Sequence, residues 1–388
     1  MFDALSPRRR LALAFARNPA DNVWLDCVRT LAITLVLLRH GQRVSETGPE
    51  ITFLEALSLN GWAGVDLFFV LSGYLVTSKL TQKLAERGKI DLAQYATRRI
   101  LRIVPAYFFV LALVVFGYFP FFHVSDDNLA SRVLYHVFFL QDVLPSDINV
   151  VFWSLGVEAK YYALIPFLVI ALSKLADWRH LLILTICVVA LAPSIRLGLY
   201  LTSEITDYYT FWRVLRSPFY ACLEPIALGV AIAFAETRGW LRIGPKTAVT
   251  LFCLSCAGLF VYLGSDYFLA EITLWDATVQ PLILACLFSI LVIAALGMIA
   301  VHAPFEPLFR YGARISYSLY LVHFPLIPVS LALARYLDLG TPGFWAIYLA
   351  TSIFHAVAIL AYVEMPFMKS NRRQLRNLSH PNERTSGA

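Results

Sequence analysis

Eleven positions separate Arg29 from His40 in the run LDCVRTLAITLVLLRHG, residues 25–41. At 100° per residue that is about 1,100°, three turns plus roughly 20°, so a helix carries both side chains on one face, about 16.5 Å apart along its axis. An ionisable group inside an apolar helix is costly in hydrocarbon and by default marks a functional site. Histidine there is a candidate base. The plainer reading has Arg29 snorkelling to an interface and His40 as an interfacial polar group. Asp66, in GVDLFFVLSGYL (residues 64–75), falls near the depth of His40 if the second span runs back across the bilayer. A carboxylate there would hydrogen-bond the imidazole and set its tautomer.

Three further segments carry polar groups that apolar helices do not need. RRILRIVPAY (98–107) gathers Arg98, Arg99 and Arg102 ahead of Pro105, which is expected to restrict the start of a helix. The cluster reads equally as a positively charged membrane anchor or as a site for a phosphate-rich ligand. FWSLGVEAKYY (152–162) puts Glu158 and Lys160 inside an apolar run, two apart and so on different faces. Glu158 needs a partner from another span, as does Glu224 in YACLEPIA. ISYSLYLVHFPL (315–326) places Tyr320 and His323 three apart on a shared face, and VEMPF ends the last apolar run with Glu364. Ser72 and Gly73 are small enough to let another backbone approach, which is how such residues serve in membranes.

These residues must be positioned by spanning helices. Of 388 residues, 59% are hydrophobic and only 15% charged, against roughly 25% in an average soluble protein. Mean hydropathy is +0.66. The 28 Phe, 19 Tyr and 8 Trp exclude a disordered chain. The expected fold is all-α, a polytopic transmembrane bundle of ten spans at about 23–42, 60–79, 103–122, 151–173, 181–200, 215–235, 247–264, 279–300, 315–335 and 344–363. Lys and Arg concentrate in alternate loops, and Asp and Glu (Glu46, Glu50, Glu55, Asp126, Asp127) in those between, which predicts cytoplasmic termini. Residues 131–141 are apolar but too short to cross, and read as a re-entrant or interfacial helix. The organisation expected is a basic N-terminus (1–22) with no cleavage site, one membrane domain (23–367) and a basic tail (368–388) without fixed structure. The net charge of +6 follows this loop pattern rather than forming a stripe for nucleic acid, so no nucleic-acid partner is expected. Cys253 and Cys256 have CxxC spacing, but no second pair completes a zinc set, and no metal is expected.

Taken together these blocks resemble the acyltransferase 3 family of integral-membrane O-acyltransferases. The family's first-span pattern, LD-x-x-R followed by ten residues and a His, is matched by Asp26, Arg29 and His40. GVDLFFVLSGYL, RRILRIVPAY, FWSLGVE and SYSLYLVHFPL are similar to further family blocks in the same order, and the resemblance runs from about residue 24 to 367. It implies transfer of an acyl group, commonly acetyl, from cytoplasmic acyl-CoA to a hydroxyl of an extracytoplasmic glycan, glycolipid or other acceptor, in a bacterial inner membrane. It implies that the first-span His is essential and the first-span Arg important, and it associates the RxxR element, here Arg99 and Arg102, with the donor. The fourth-span block departs from the usual pattern, because Ala159 and Lys160 follow Glu158 where a second acid and a Gln are common. Many relatives carry a soluble esterase-like C-terminal domain, and this sequence shows none. Passing the acyl group onward would then call for a separate periplasmic protein.

The expected site has His40, Asp66 and Glu158 as catalytic groups, with His40 as general base or, less favoured, acyl carrier, oriented by Asp66 or Glu158. Arg29, Arg99 and Arg102 would hold the acyl-CoA. Asp26, Ser72, Tyr320 and His323 would contact the acceptor or support the other groups. A CoA pantetheine arm is on the order of 15 Å long, close to the ~16.5 Å rise between Arg29 and His40. The rival function is a secondary transporter or flippase using buried Glu and His, against which no matching pair of interrupted spans appears in the two halves.

Overall fold

The computed structural model describes residue 15 and residues 21–44, 51–175, 177–205, 207–266 and 272–368. Almost all of the basic N-terminal stretch and the tail lie outside the described residues, as do Glu46, Glu50 and Glu271. Among the described residues every regular element is helical. Seven helices among these residues are long and apolar enough to cross a membrane, or eight if one bent pair counts as a single span.

The first helix, α1 (Val23–Gln42), is capped by Asn22, whose side chain accepts from the Trp24 N–H at 3.0 Å. After the short α2 (Phe53–Leu59) and a 3-10 turn, α3 (Gly64–Arg87) runs through the centre of the bundle. The span containing it is 78% buried, whereas the span formed by α7 (Trp178–Thr202) is 17% buried. Thus α3 is a core element and α7 presents most of its surface outward, as lipid-facing helices do. α3 ends at Gly88, whose φ of 68° suits glycine in a left-handed C-cap.

α4 (Leu92–Val115) corrects one expectation. The helix begins at the Asp91 cap, whose carboxylate accepts from the Gln94 N–H at 2.8 Å, eleven residues ahead of the predicted start at 103. Arg98, Arg99 and Arg102 therefore lie on the helix, and Pro105 sits within it instead of opening it. The apolar stretch after residue 130 forms the nine-residue helix α5 (Leu129–Val137), too short to cross. α6 (Trp153–Ser173) and α7 follow. The four-residue α8 (Tyr208–Phe211) then leads into a π-helix at Trp212–Arg216 and a 3-10 turn at Phe219–Cys222.

α9 (Leu223–Thr237) packs closely on α3, because Gly229 and Gly73 meet at the crossing. A Cβ on Gly229 would overlap the Val70 carbonyl, and one on Gly73 the Ile226 carbonyl, so only glycine allows this approach. The expected packing role of Gly73 is realised here. α10 (Pro245–Ser265) and α11 (Leu274–Gly297) form an adjoining pair. α12 (Glu306–Val322) and α13 (Ile327–Tyr336) meet at 86° across residues 323–326, where a continuous ninth span was expected. Pro325 has no N–H to bond back one turn, and the chain bends there. α14 (Gly340–Ile359) closes the bundle and continues into a second π-helix, Leu360–Glu364.

α1 lies between α3 and α12. Thr30 donates to the Phe309 carbonyl at 2.9 Å, and Gly312 lets α12 come against that threonine. α1 and α4, the first and third of the ten expected spans, each carry charged side chains along their length: Asp26, Arg29 and Arg39 on one, Arg98, Arg99 and Arg102 on the other. Asp26, Arg29 and the three arginines of α4 belong to the candidate site.

Candidate active site

α1 is helical from Val23 to Gln42, so Arg29 and His40 do share a face, about 16.5 Å apart. Each end of that face meets a different set of partners.

At the far end, His40 meets His323, from the corner between α12 and α13. His323 Nε2 is 3.1 Å from His40 Nδ1, and His40 Nδ1 is also 3.0 Å from the Val36 carbonyl. The Phe324 ring stands edge-on to the His40 imidazole, 5.2 Å between centroids. Tyr320 does not reach toward a ligand: its hydroxyl donates to the Val151 carbonyl at 2.6 Å and lies 2.6 Å from Ser154 Oγ.

Asp66 is not the partner of His40. Its carboxylate accepts from Arg216 at 2.7 Å, and both groups are buried. The π-helix at Trp212–Arg216 delivers that arginine, whose guanidinium also lies over Trp62 (4.7 Å) and Trp153 (5.9 Å). A buried carboxylate is stabilised more by a full positive charge than by a neutral imidazole, which is why Asp66 pairs this way. Glu158 likewise orients no histidine. It accepts from Ser72 Oγ at 3.0 Å and from the Tyr162 hydroxyl at 2.7 Å, midway along the bundle. Ser72 is thus a hydrogen-bond donor to Glu158 rather than a packing residue. Lys160, on another face as its spacing required, is paired with Asp142 and donates to the Phe139 carbonyl at 3.0 Å.

At the near end, positive charge accumulates. Arg29 makes a long contact of 3.4 Å to Asp26, one turn back. Lys79 lies within electrostatic reach of Arg99, Arg29 and Arg102. Arg99 sits over the Tyr162 ring at 5.7 Å, which links the cluster to the Glu158 network. Arg102 donates to the buried Glu364 at 2.8 Å and lies over Tyr317, while Ser318 donates to the other carboxylate oxygen. A cleft of about 250 Å³ opens here, lined by Lys79, Lys83, Tyr95, Arg98 and Arg99 among others. The Nε atoms of Arg98 and Arg99 are buried without a protein partner. Such a cleft suits phosphate oxygens.

Three participants are not singled out by the sequence reading, and a fourth is without its partner there. Lys79 has no sequence signal beyond the charge of a basic loop, yet it joins the cationic cluster. Arg216 carried no signal beyond being a charge beside an apolar run. Arg196 had a plain one: an arginine within the apolar run 181–200, with Glu224 as its unsatisfied counterpart. The two form a buried bidentate pair, and Arg196 also donates to the carbonyls of Ala277 (2.6 Å) and Ala221 (2.7 Å). Glu364 was noticed but left without a partner. Among the described residues no three side chains of His, Cys, Asp or Glu converge as a metal-ligand set.

Residues 22–362 match the family described as an acyltransferase domain, acyltransferase 3. The chain is 27% identical over 326 residues to the O-acetyltransferase OatA of Staphylococcus aureus (strain NCTC 8325 / PS 47), covering 78% of this chain and 50% of that protein. It is 24% identical over 370 residues to the peptidoglycan O-acetyltransferase OatA of Listeria monocytogenes serovar 1/2a, covering 89% of this chain and 56% of that one. The chain thus spans about half the length of these curated relatives. No solved structure matches it. With the matched region covering nearly all of the helical bundle, and every site residue but Glu364 falling inside it, this chain belongs to the acyltransferase 3 family.

Proposed function

We propose that the protein is a multi-pass O-acetyltransferase of the bacterial inner membrane, moving an acetyl group from cytoplasmic acetyl-CoA to a hydroxyl of an extracytoplasmic glycan or glycolipid. The observation that carries this reading is the two-ended face of α1: Arg29 within electrostatic reach of Lys79 and the cleft it lines at one end, and a histidine pair at the other, about 16.5 Å apart. The names of the relatives support the acetyl group and a cell-wall glycan as the acceptor class.

On this reading Arg29, Arg98 and Arg99, with Lys79, hold the phosphates of the donor, and Arg102 organises that end through Glu364. The pantetheine arm runs along α1, past Ser72 and Glu158, and brings the thioester to His40. The acceptor hydroxyl gives its proton to His40 as its oxygen bonds to the thioester carbonyl carbon. The carbon–sulfur bond then breaks, CoA leaves as a thiolate and the acetyl ester remains on the acceptor. The charged helices α1 and α4 count as spans with their charges turned into the bundle, which makes ten, with both termini cytoplasmic. Asp26 steadies Arg29, and Asp66 steadies the His40 end through Arg216, neither touching substrate.

The test is transfer of radiolabelled acetyl from acetyl-CoA into glycan and lipid fractions, by membranes carrying the wild-type protein or His40→Ala at matched levels. Label with wild type alone supports the reading, and the labelled fraction names the acceptor class. Equal label in both removes His40 from the mechanism. Substrate movement across the membrane without thioester consumption would favour a transporter.

A further inference from the structure

We infer that His323 is a positioning residue that, together with the Val36 carbonyl, fixes which nitrogen of His40 is basic and holds that ring in place; this rests on the reading of His40 as the general base. The argument is one of donors and acceptors. His323 Nδ1 lies 2.8 Å from the Tyr320 carbonyl and 3.2 Å from the Leu319 carbonyl. A carbonyl oxygen can only accept, so Nδ1 carries the hydrogen, and in the neutral ring Nε2 then has the lone pair. That lone pair faces His40 Nδ1 at 3.1 Å, so His40 Nδ1 must donate. The other neighbour of His40 Nδ1, the Val36 carbonyl at 3.0 Å, imposes the same proton independently. The lone pair of His40 is thereby placed on Nε2, the nitrogen left to take a proton from an acceptor hydroxyl.

A doubly protonated His323 would break this pattern. It would aim an N–H at His40 Nδ1, whose lone pair would then oppose the Val36 carbonyl.

The bend between α12 and α13 holds His323 in place. Pro325 supplies no N–H for the Leu321 carbonyl, and Asn149 Nδ2 donates to that oxygen at 3.1 Å. The side chain of Tyr320, one turn back, is tied to Val151 and Ser154. The corner is therefore hydrogen-bonded on both sides of the histidine. When His40 takes up the proton, its Nδ1–H bond to His323 Nε2 becomes charge-assisted and keeps the ring aligned through the transfer.

The test is a three-way substitution. Gln at 323 can donate to the Tyr320 carbonyl and accept from His40 at once; Lys offers only donors, and Leu offers neither. The expected result is a kcat for acetyl transfer reduced roughly 100-fold or more in His323→Leu and His323→Lys, with KM for acetyl-CoA within about twofold of wild type. His323→Gln should recover at least a tenth of wild-type kcat. In parallel, solid-state NMR of isotope-labelled histidine, with His40 assigned by its loss in His40→Ala, should report a protonated Nδ1 and a lone-pair Nε2 in wild type and His323→Gln. His323→Leu kcat within about threefold of wild type, or a Gln variant folded yet no better than Leu, overturns the inference. So does an Nε2-protonated His40 in the wild-type protein, a readout that needs no acetyl transfer. A wild-type protein that transfers no acetyl overturns the functional reading instead.

Discussion

Replacing Arg29 with lysine keeps the charge at the donor end and removes the fork. The Arg29 guanidinium has five N–H donors, and its one ion pair among the described residues, to Asp26 at 3.4 Å, is longer than a tight charge-assisted bond of about 2.7–2.9 Å. Most of its hydrogen-bonding capacity is therefore available to a ligand. A hydrogen bond to a charged group contributes about 1.5–3 kcal/mol, so loss of one arm of a bidentate phosphate contact should weaken donor binding roughly ten- to hundredfold. Arg29→Gln loses the charge as well and should exceed that. Because Arg29 lies about 16.5 Å from His40, it touches the donor equally before and during transfer. The loss should appear in KM and in the acetyl-CoA dissociation constant, with kcat within about threefold. Calorimetry on detergent-solubilised protein with acetyl-CoA, alongside steady-state transfer, measures both. Acetyl-pantetheine, which lacks the nucleotide phosphates, should bind weakly and lose no further affinity in Arg29→Lys. An unchanged acetyl-CoA dissociation constant in Arg29→Lys refutes the placement of the donor, and a fall in kcat with unchanged affinity moves Arg29 to the reacting end.

Other parts of the bundle carry their own predictions. Arg196→Leu leaves Glu224 as a buried carboxylate without its counter-charge and should destabilise the protein by about 3–5 kcal/mol, read as lost thermal stability in nanodiscs; Arg196→Leu with Glu224→Leu should recover most of it. An uncorrected double variant would mean that the carbonyl contacts of Arg196, not the ion pair, hold the helices together. His136, on α5 and outside the spans, hydrogen-bonds Tyr107 (2.8 Å) and Ser146 (2.7 Å), and burial followed by the nearby Arg132 pushes it down to about 4. The unfolded chain then binds more protons between pH 6.5 and that value, so stability is full above pH 6.5 and falls as pH drops through this window, by about 2 kcal/mol at pH 5. The same protein with His136→Gln should lose less on acidification from pH 7 to 5, and parallel melting shifts in the two would contradict this account.

Much of the site was legible because helical periodicity is local. The 11-residue spacing of Arg29 and His40 is enough to place both on one face, and the cost of charge in hydrocarbon is enough to single out Glu158, Glu224 and the 98–102 arginines. The apolar runs likewise imply an all-helical membrane bundle. Partner choice was not legible, because it depends on which helices touch. Asp66 finds Arg216 at a separation of 150 residues, and His40 finds His323 at 283, in both cases through local irregularity: a π-helix and a proline corner. Periodicity averages over such irregularities, and only packing reveals them. Depth placed Asp66 beside His40, yet a buried carboxylate follows the strongest counter-charge within reach, and the bundle supplied an arginine. Sequence alone thus singled out most of the side chains proposed to carry the chemistry and set Arg29 and His40 three turns apart on one helix; the tertiary structure decided which side chains meet, because charge pairing and proton direction are settled across helices rather than along them.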